Sequence, residues 1–167
     1  MKKSTSLYTL IISSLLCVTL LSSVANAADM KIKWTAPEDY QDIKQDPVEV
    51  KSKFRIRLFK ELEEHLVKLA QQLPEQKTLM IEVTDLALAG EVPRGTNSMR
   101  IISDRYPPRI EFSYQVIKAD KTVVSSGNEN IRDKNFMMNQ SLAYRNDSFG
   151  HEKYMLDKWF KKTFPTK

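Results

Sequence analysis

One cysteine, four glycines and two histidines are all that the 167 residues contain of those types. Each scarcity removes a class of chemistry. Cys17 lies inside the first apolar run, and no other residue can supply a thiol nucleophile, a disulfide or a thiolate metal ligand. Gly90, Gly95, Gly127 and Gly150 are too scattered to build a phosphate-cradling loop. No serine sits between glycines in the pattern of a nucleophile elbow. Neither His65 nor His151 has a histidine at the four-residue step that a helical metal site uses, since residues 61 and 69 are Glu and Leu. Both histidines are therefore expected at surface or packing positions, and no cofactor or metal is expected. The formal net charge of +5 is modest, and its bases are interleaved with acids, as in Arg55, Arg57 and Lys60 beside Glu61, Glu63 and Glu64. That mixture describes a solvated face, so no nucleic-acid partner is expected.

Only one long apolar run is present, and it is N-terminal. Lys2 and Lys3 precede a stretch from Leu7 to Leu21, and Ala25-Asn26-Ala27 follows it. A positive start, an apolar middle and small residues at a cleavage position together describe a secretory signal peptide, with the cut after Ala27. A membrane anchor would need about 20 predominantly apolar residues, and Ser13 and Ser14 interrupt this run. A lipid-modified cysteine would need a small residue before it, whereas Leu16 precedes Cys17. Residues 1–27 are thus expected to be removed, with no transmembrane segment remaining. Residues 28–167 then form one domain that is exported, periplasmic or secreted. Losing Lys2 and Lys3 also lowers the basic excess.

Periodicity divides that domain. Ile32 and Trp34 alternate with lysines, which reads as a short edge strand before a polar lead-in marked by Pro37 and Pro47. Over 52–73, Leu58, Leu62, Leu66, Leu69 and Leu73 recur at three- and four-residue steps, predicting an amphipathic helix that Pro74 stops. Strands are predicted over 78–88 and 109–118. The second is the cleaner, with Ile110, Phe112, Tyr114 and Val116 on one face. Ala119-Asp120-Lys121 makes a turn into a strand over 122–126, and a shorter strand over 99–103 is a further option. A second helix over 151–163 carries Met155, Leu156, Trp159 and Phe160 on one stripe, gathers lysines at its C-terminal end and stops at Pro165. Neighbouring strands should pair antiparallel. The fold class is α+β: a two-layer domain with a mainly antiparallel sheet of three to five strands covered by two amphipathic helices.

The segment from Thr84 to Arg109 holds the candidate site. Asp85 shares the parity of Leu79, Ile81 and Val83, and a carboxylate on a core-facing phase must be paired or hydrogen-bonded. A long polar loop follows, with Arg94, Arg100, Asp104 and Arg105 leading to Arg109. One reading has Asp85 capping loop amides or pairing with an arginine. The other makes Asp85, Arg94, Arg100, Asp104, Arg109 and Asp133 a ligand-binding set, with bidentate arginine donors for a polar or anionic ligand.

The order and spacing of several residues resemble a known family. They are Trp34, Pro37, Tyr40 and Asp42-Ile43; Leu62, Leu66 and Leu73-Pro74; Asp85 with Leu88-Ala89-Gly90; Pro107-Pro108-Arg109-Ile110 and Tyr114; Asp133; and Glu152-Lys153 with Trp159-Phe160. Together they are similar to a bacterial family of small exported proteins, domain of unknown function 3016. The resemblance implies export and a single domain, and it brings no activity with it. Where that family usually reads Asp-Val-Asp-Leu-Ala-Gly, this chain has Ala87 in place of the second acid. A paired-carboxylate metal site is weakened accordingly, and a lone Asp85 cannot serve as both general acid and general base. The expected function is an envelope binding or structural module, its partner an unknown envelope component or a small polar ligand. The alternatives are a hydrolase or other enzyme using Asp85 with Asp104 or Asp133 and the loop arginines, and a module binding envelope anions or lipid headgroups at the 90–109 loop.

Overall fold

A computed structural model describes residues 29–40, 43, 50–74, 76–93, 99–138 and 142–165. The expected signal peptide and Arg94 lie outside the described residues.

Four strands form one sheet in the spatial order β1-β2-β3-β4: β1 Asp29–Trp34, β2 Lys77–Ala87, β3 Arg109–Lys118 and β4 Val123–Arg132. Helix α1 (Lys51–Ala70) joins β1 to β2, and helix α2 (Gly150–Thr163) follows β4. The architecture is the expected two-layer α+β domain, and it departs from an all-antiparallel sheet at one place. β1 pairs with β2 in parallel, Asp29 opposite Thr78 and Trp34 opposite Val83, because α1 carries the chain back between them. The remaining pairs are antiparallel.

The leucine stripe of α1 and the apolar stripe of α2 bury against the same sheet face. Leu58, Leu62 and Leu66 meet Leu79, Ile81 and Val83 of β2, Ile110 and Phe112 of β3, and Leu156 and Trp159 of α2 in one core. Trp159 lies edge-on to Phe112 at 4.8 Å and to Tyr114 at 5.5 Å. Burying a side chain of this kind contributes about 1.5–3 kcal/mol. Lys31, Lys33, Glu82, Ser113, Gln115 and Asn128 alternate with the core-facing residues on the four strands. They leave the opposite face of the sheet polar, as antiparallel sheets commonly have it.

Three local expectations are corrected. The segment over 99–103 is not a strand: only Glu91 and Ile101 form an isolated bridge. β4 runs on from Ser126 to Arg132, beyond the expected end. Gly127 lies opposite Tyr114, where any Cβ would come within 2.8 Å of the ring, and this absence of a side chain is what the alternation pattern lost. Asp85 is not on the core-facing phase either. A bulge places Val83 opposite Phe112 and Asp85 opposite Glu111, leaving Thr84 as an extra residue. The strand's parity reverses there, so Leu86 turns inward and Asp85 turns to the polar face. Among the described residues no helix is long and apolar enough to cross a membrane.

Candidate functional site

The bulge sets the geometry of the candidate site. With Asp85 turned outward, its Oδ2 receives Arg109 Nη2 at 2.6 Å and its Oδ1 receives the Leu86 backbone N–H at 2.9 Å. Arg109 Nη1 donates to Glu111 Oε1 at 2.5 Å, and Asn130 Nδ2 donates to the same oxygen at 2.9 Å. Four side chains from three adjacent strands thereby form a chain of charge-assisted bonds. Arg109 neutralises two carboxylates that the strand register sets directly opposite each other. Tyr40 closes the other side of the bulge by donating its O–H to Val83 O at 2.9 Å. Burial and the nearby Asp85 charge push the Tyr40 phenol up to about 12.

Beyond β2 the loop turns at Gly90, whose φ of +75° is a left-handed conformation suited to glycine. A Cβ there would also collide with the carbonyl oxygen of Ile101. Gly90 N–H donates to Tyr106 O at 2.8 Å, and Arg100 Nη1 caps the carbonyls of Ala89 and Gly90 at 3.2 and 3.1 Å. The result is a cleft of about 370 Å³ lined in part by Gly90, Glu91, Arg100, Tyr106, Arg109 and Arg132. Glu91 accepts a hydrogen bond from the Tyr106 phenol, which holds that phenol above its ordinary pKa. Arg132 forms no ion pair among the described residues.

The other expected members lie elsewhere. Asp104 is exposed and has no hydrogen-bond or ion-pair partner among the described residues. Asp133 is buried: its Oδ2 accepts Lys158 Nζ of α2 at 3.1 Å, and its Oδ1 accepts the Asn135 N–H at 3.3 Å. Asp85, Asp104 and Asp133 thus have separate surroundings, and none of them lines the cleft. Arg109 and Arg100 are brought together there. Among the described residues no group of three or more His, Cys, Asp or Glu side chains is placed to hold a metal ion.

A second polar cluster escaped sequence reasoning. His65 Nε2 lies 2.8 Å from Asp157 Oδ1, and Tyr144 O–H donates to Asp157 Oδ2 at 2.6 Å. Beside them the Lys153 ammonium bridges Asp147 Oδ1 at 2.7 Å and Glu61 Oε2 at 3.0 Å. These groups line a second cleft, of about 510 Å³, between α1 and α2. Burial works to raise the Asp157 pKa, but the bonds from His65 and Tyr144 outweigh it and hold the carboxyl below its ordinary value. Burial likewise opposes the Lys153 charge, and its two carboxylates leave its pKa above the usual lysine value. Every polar contact here spans elements distant in sequence or an irregular loop, so no spacing rule marks it. The only visible signal was a Glu152-Lys153 pair in the first turn of an otherwise apolar-striped helix.

Glu152 itself is fully buried, and its Oε1 accepts the Ala89 N–H at 2.7 Å. Burial drives its pKa upward against that hydrogen bond and the charges of His151 and Arg100. It ties the first turn of α2 to the start of the 90–108 loop, which is a positioning role.

A search of curated proteins finds no match to the chain. A family model described as protein of unknown function (DUF3016) matches residues 28–162, a span from the first strand to the last turns of α2 that includes the bulge, the glycine turn and both polar clusters. The chain belongs to that family.

Proposed function

We propose that the protein is an exported binding module of the cell envelope whose ligand is a small anion, held in the cleft at the end of β2, β3 and β4. One observation carries the reading. Arg100, Arg109 and Arg132 come from three different segments to line one cleft, and Arg132 has no carboxylate partner among the described residues. Arginine presents a fixed fork of donors suited to carboxylate or phosphate. The same lining argues against proton-transfer chemistry. Arginine keeps its proton, and Glu91, the acidic group in the lining, is engaged by Tyr106. Asp85 is taken up by Arg109 and a backbone amide and lies outside the cleft lining, so the hydrolase alternative loses the carboxylate it was built on.

Titration calorimetry with inorganic phosphate, sulfate and succinate tests the proposal. The protein should bind at least one of them, and Arg132→Gln should bind it about tenfold more weakly while unfolding at the same denaturant concentration, since a charge-assisted hydrogen bond is worth about 1.5–3 kcal/mol. Equal binding by Arg132→Gln, or no binding at millimolar anion, ends the reading.

A further inference from the structure

Twelve large apolar side chains are exposed among the described residues, and half of them stand in two loops at one end of the fold. Met99, Ile101 and Ile102 lie in the loop before β3. Met137, Met138 and Leu142 lie in the segment between β4 and α2. Both loops leave the same end of the sheet, tied where Asp133 N–H donates to Pro108 O at 3.2 Å. Both also converge on the first turn of α2. Ile102 lines a cleft with Gly150 and His151, the Phe136 ring lies edge-on to His151 at 4.8 Å, and Gly150 is packed against the Tyr144 carbonyl. Met138 is 88% exposed, Leu142 79% and Met99 71%, so these side chains project from the surface rather than closing a core. Three methionines among them give the patch flexible, polarizable tips that adapt to an irregular surface.

Charge in these loops is one-sided. Arg105, Lys134 and Arg145 are exposed and make no ion pair among the described residues. The nearby acids are mostly engaged: Asp133 with Lys158, Asp147 with Lys153 and Glu91 with Tyr106, leaving Asp104 unpaired. Exposed apolar groups gathered in two loops at one end of a fold are the kind of surface that binds a partner. Apolar tips interspersed with unpaired cations suit an anionic bilayer, where the tips enter the headgroup boundary and the cations meet lipid phosphates.

We propose that this end of the molecule docks on an anionic lipid surface, with Met99, Ile101, Met137, Met138 and Leu142 inserting and Arg105, Lys134 and Arg145 contacting headgroups. The surface lies beside the anion cleft, uses none of its arginines and stands whether or not that cleft takes a ligand.

A position-specific label tests the proposal without interference from the apolar N-terminal run. In the full chain with Cys17→Ser, a single cysteine at Met138→Cys carries a polarity-sensitive fluorophore, and Val123→Cys at the opposite end serves as reference. On vesicles containing phosphatidylglycerol, the label at 138 should shift to the blue and brighten severalfold while the label at 123 stays in water. Neither should respond to pure phosphatidylcholine. Replacing Arg105, Lys134 and Arg145 by glutamine should weaken partitioning by about fivefold per charge, on the order of a hundredfold together. A silent label at 138, an equal response at both positions, or an equal response on uncharged vesicles overturns the proposal. Loss of phosphate binding in Arg132→Gln leaves this result untouched, so the two readings fail separately.

Discussion

Glu152 of α2 accepts the Ala89 N–H across 2.7 Å from a carboxylate that is only 3% exposed. This one contact joins the last turn of the sheet to the helix that covers it. Because burial raises the Glu152 pKa, the folded state holds that proton more tightly than the unfolded chain does. The group therefore favours folding at acid pH, and the contribution is lost as pH rises from the ordinary value of 4.5 through the raised one. Glu152→Gln should abolish that pH dependence. Glu152→Ala should cost about 2–4 kcal/mol by leaving a buried N–H unpaired beside a cavity. Urea unfolding of the three proteins between pH 4 and 8 checks both, and identical pH profiles for wild type and Glu152→Gln would refute the assignment.

Asp157 titrates with the opposite sign. Its lowered pKa means that its contribution is complete above the ordinary 3.8 and is lost as pH falls through the folded value. Asp157→Asn should cost about 1–3 kcal/mol at pH 7, and the gap to wild type should narrow below pH 3.8. A gap that stays constant down to acid unfolding would show that the His65 and Tyr144 bonds do not set the carboxyl's charge.

Removing Arg109 should expose a repulsion rather than only delete a bond. Asp85 and Glu111 face each other across the ladder, and Arg109 stands between them. Arg109→Ala should cost about 1–2 kcal/mol, and Asp85→Asn in the same chain should recover part of it. Simple additivity in the double-variant cycle would count against this arrangement.

Gly127→Ala should disturb the aromatic cluster, since the new methyl would lie 2.8 Å from the Tyr114 ring that packs edge-on to Trp159. A loss of about 1–3 kcal/mol is expected, with a change in tryptophan emission. Unchanged emission and stability would mean that the ring has room to move.

The elements that the sequence revealed are those whose burial is local and periodic. The leucine stripe of α1, the alternation of β3 and the Trp159-Phe160 stripe of α2 each declare a buried face within a few residues. What stayed hidden depends on partners far along the chain. The parallel pairing of Asp29 with Thr78 is set by the path of α1, which strand propensity does not record. The bulge at Thr84 carries no glycine or proline signal, and that single extra residue turned Asp85 from the core phase to the polar face. In the candidate segment, Arg100 and Arg109 could be named from composition, whereas the lining role of Arg132 required the pairing of β3 with β4. The His65–Asp157 contact joins the middle of α1 to α2, and only the packed helices reveal it.

The parallel first strand also orders events during folding. β2, β3 and β4 form a meander whose paired residues all lie nearer in sequence than Asp29 and Thr78 do, so they can assemble before β1 joins them. β1 has no partner until α1 has crossed back and β2 has presented its edge, which makes the N-terminal strand a late arrival. A strand that docks last leaves the backbone donors and acceptors along the outer edge of β2 open to other extended chains until β1 covers them.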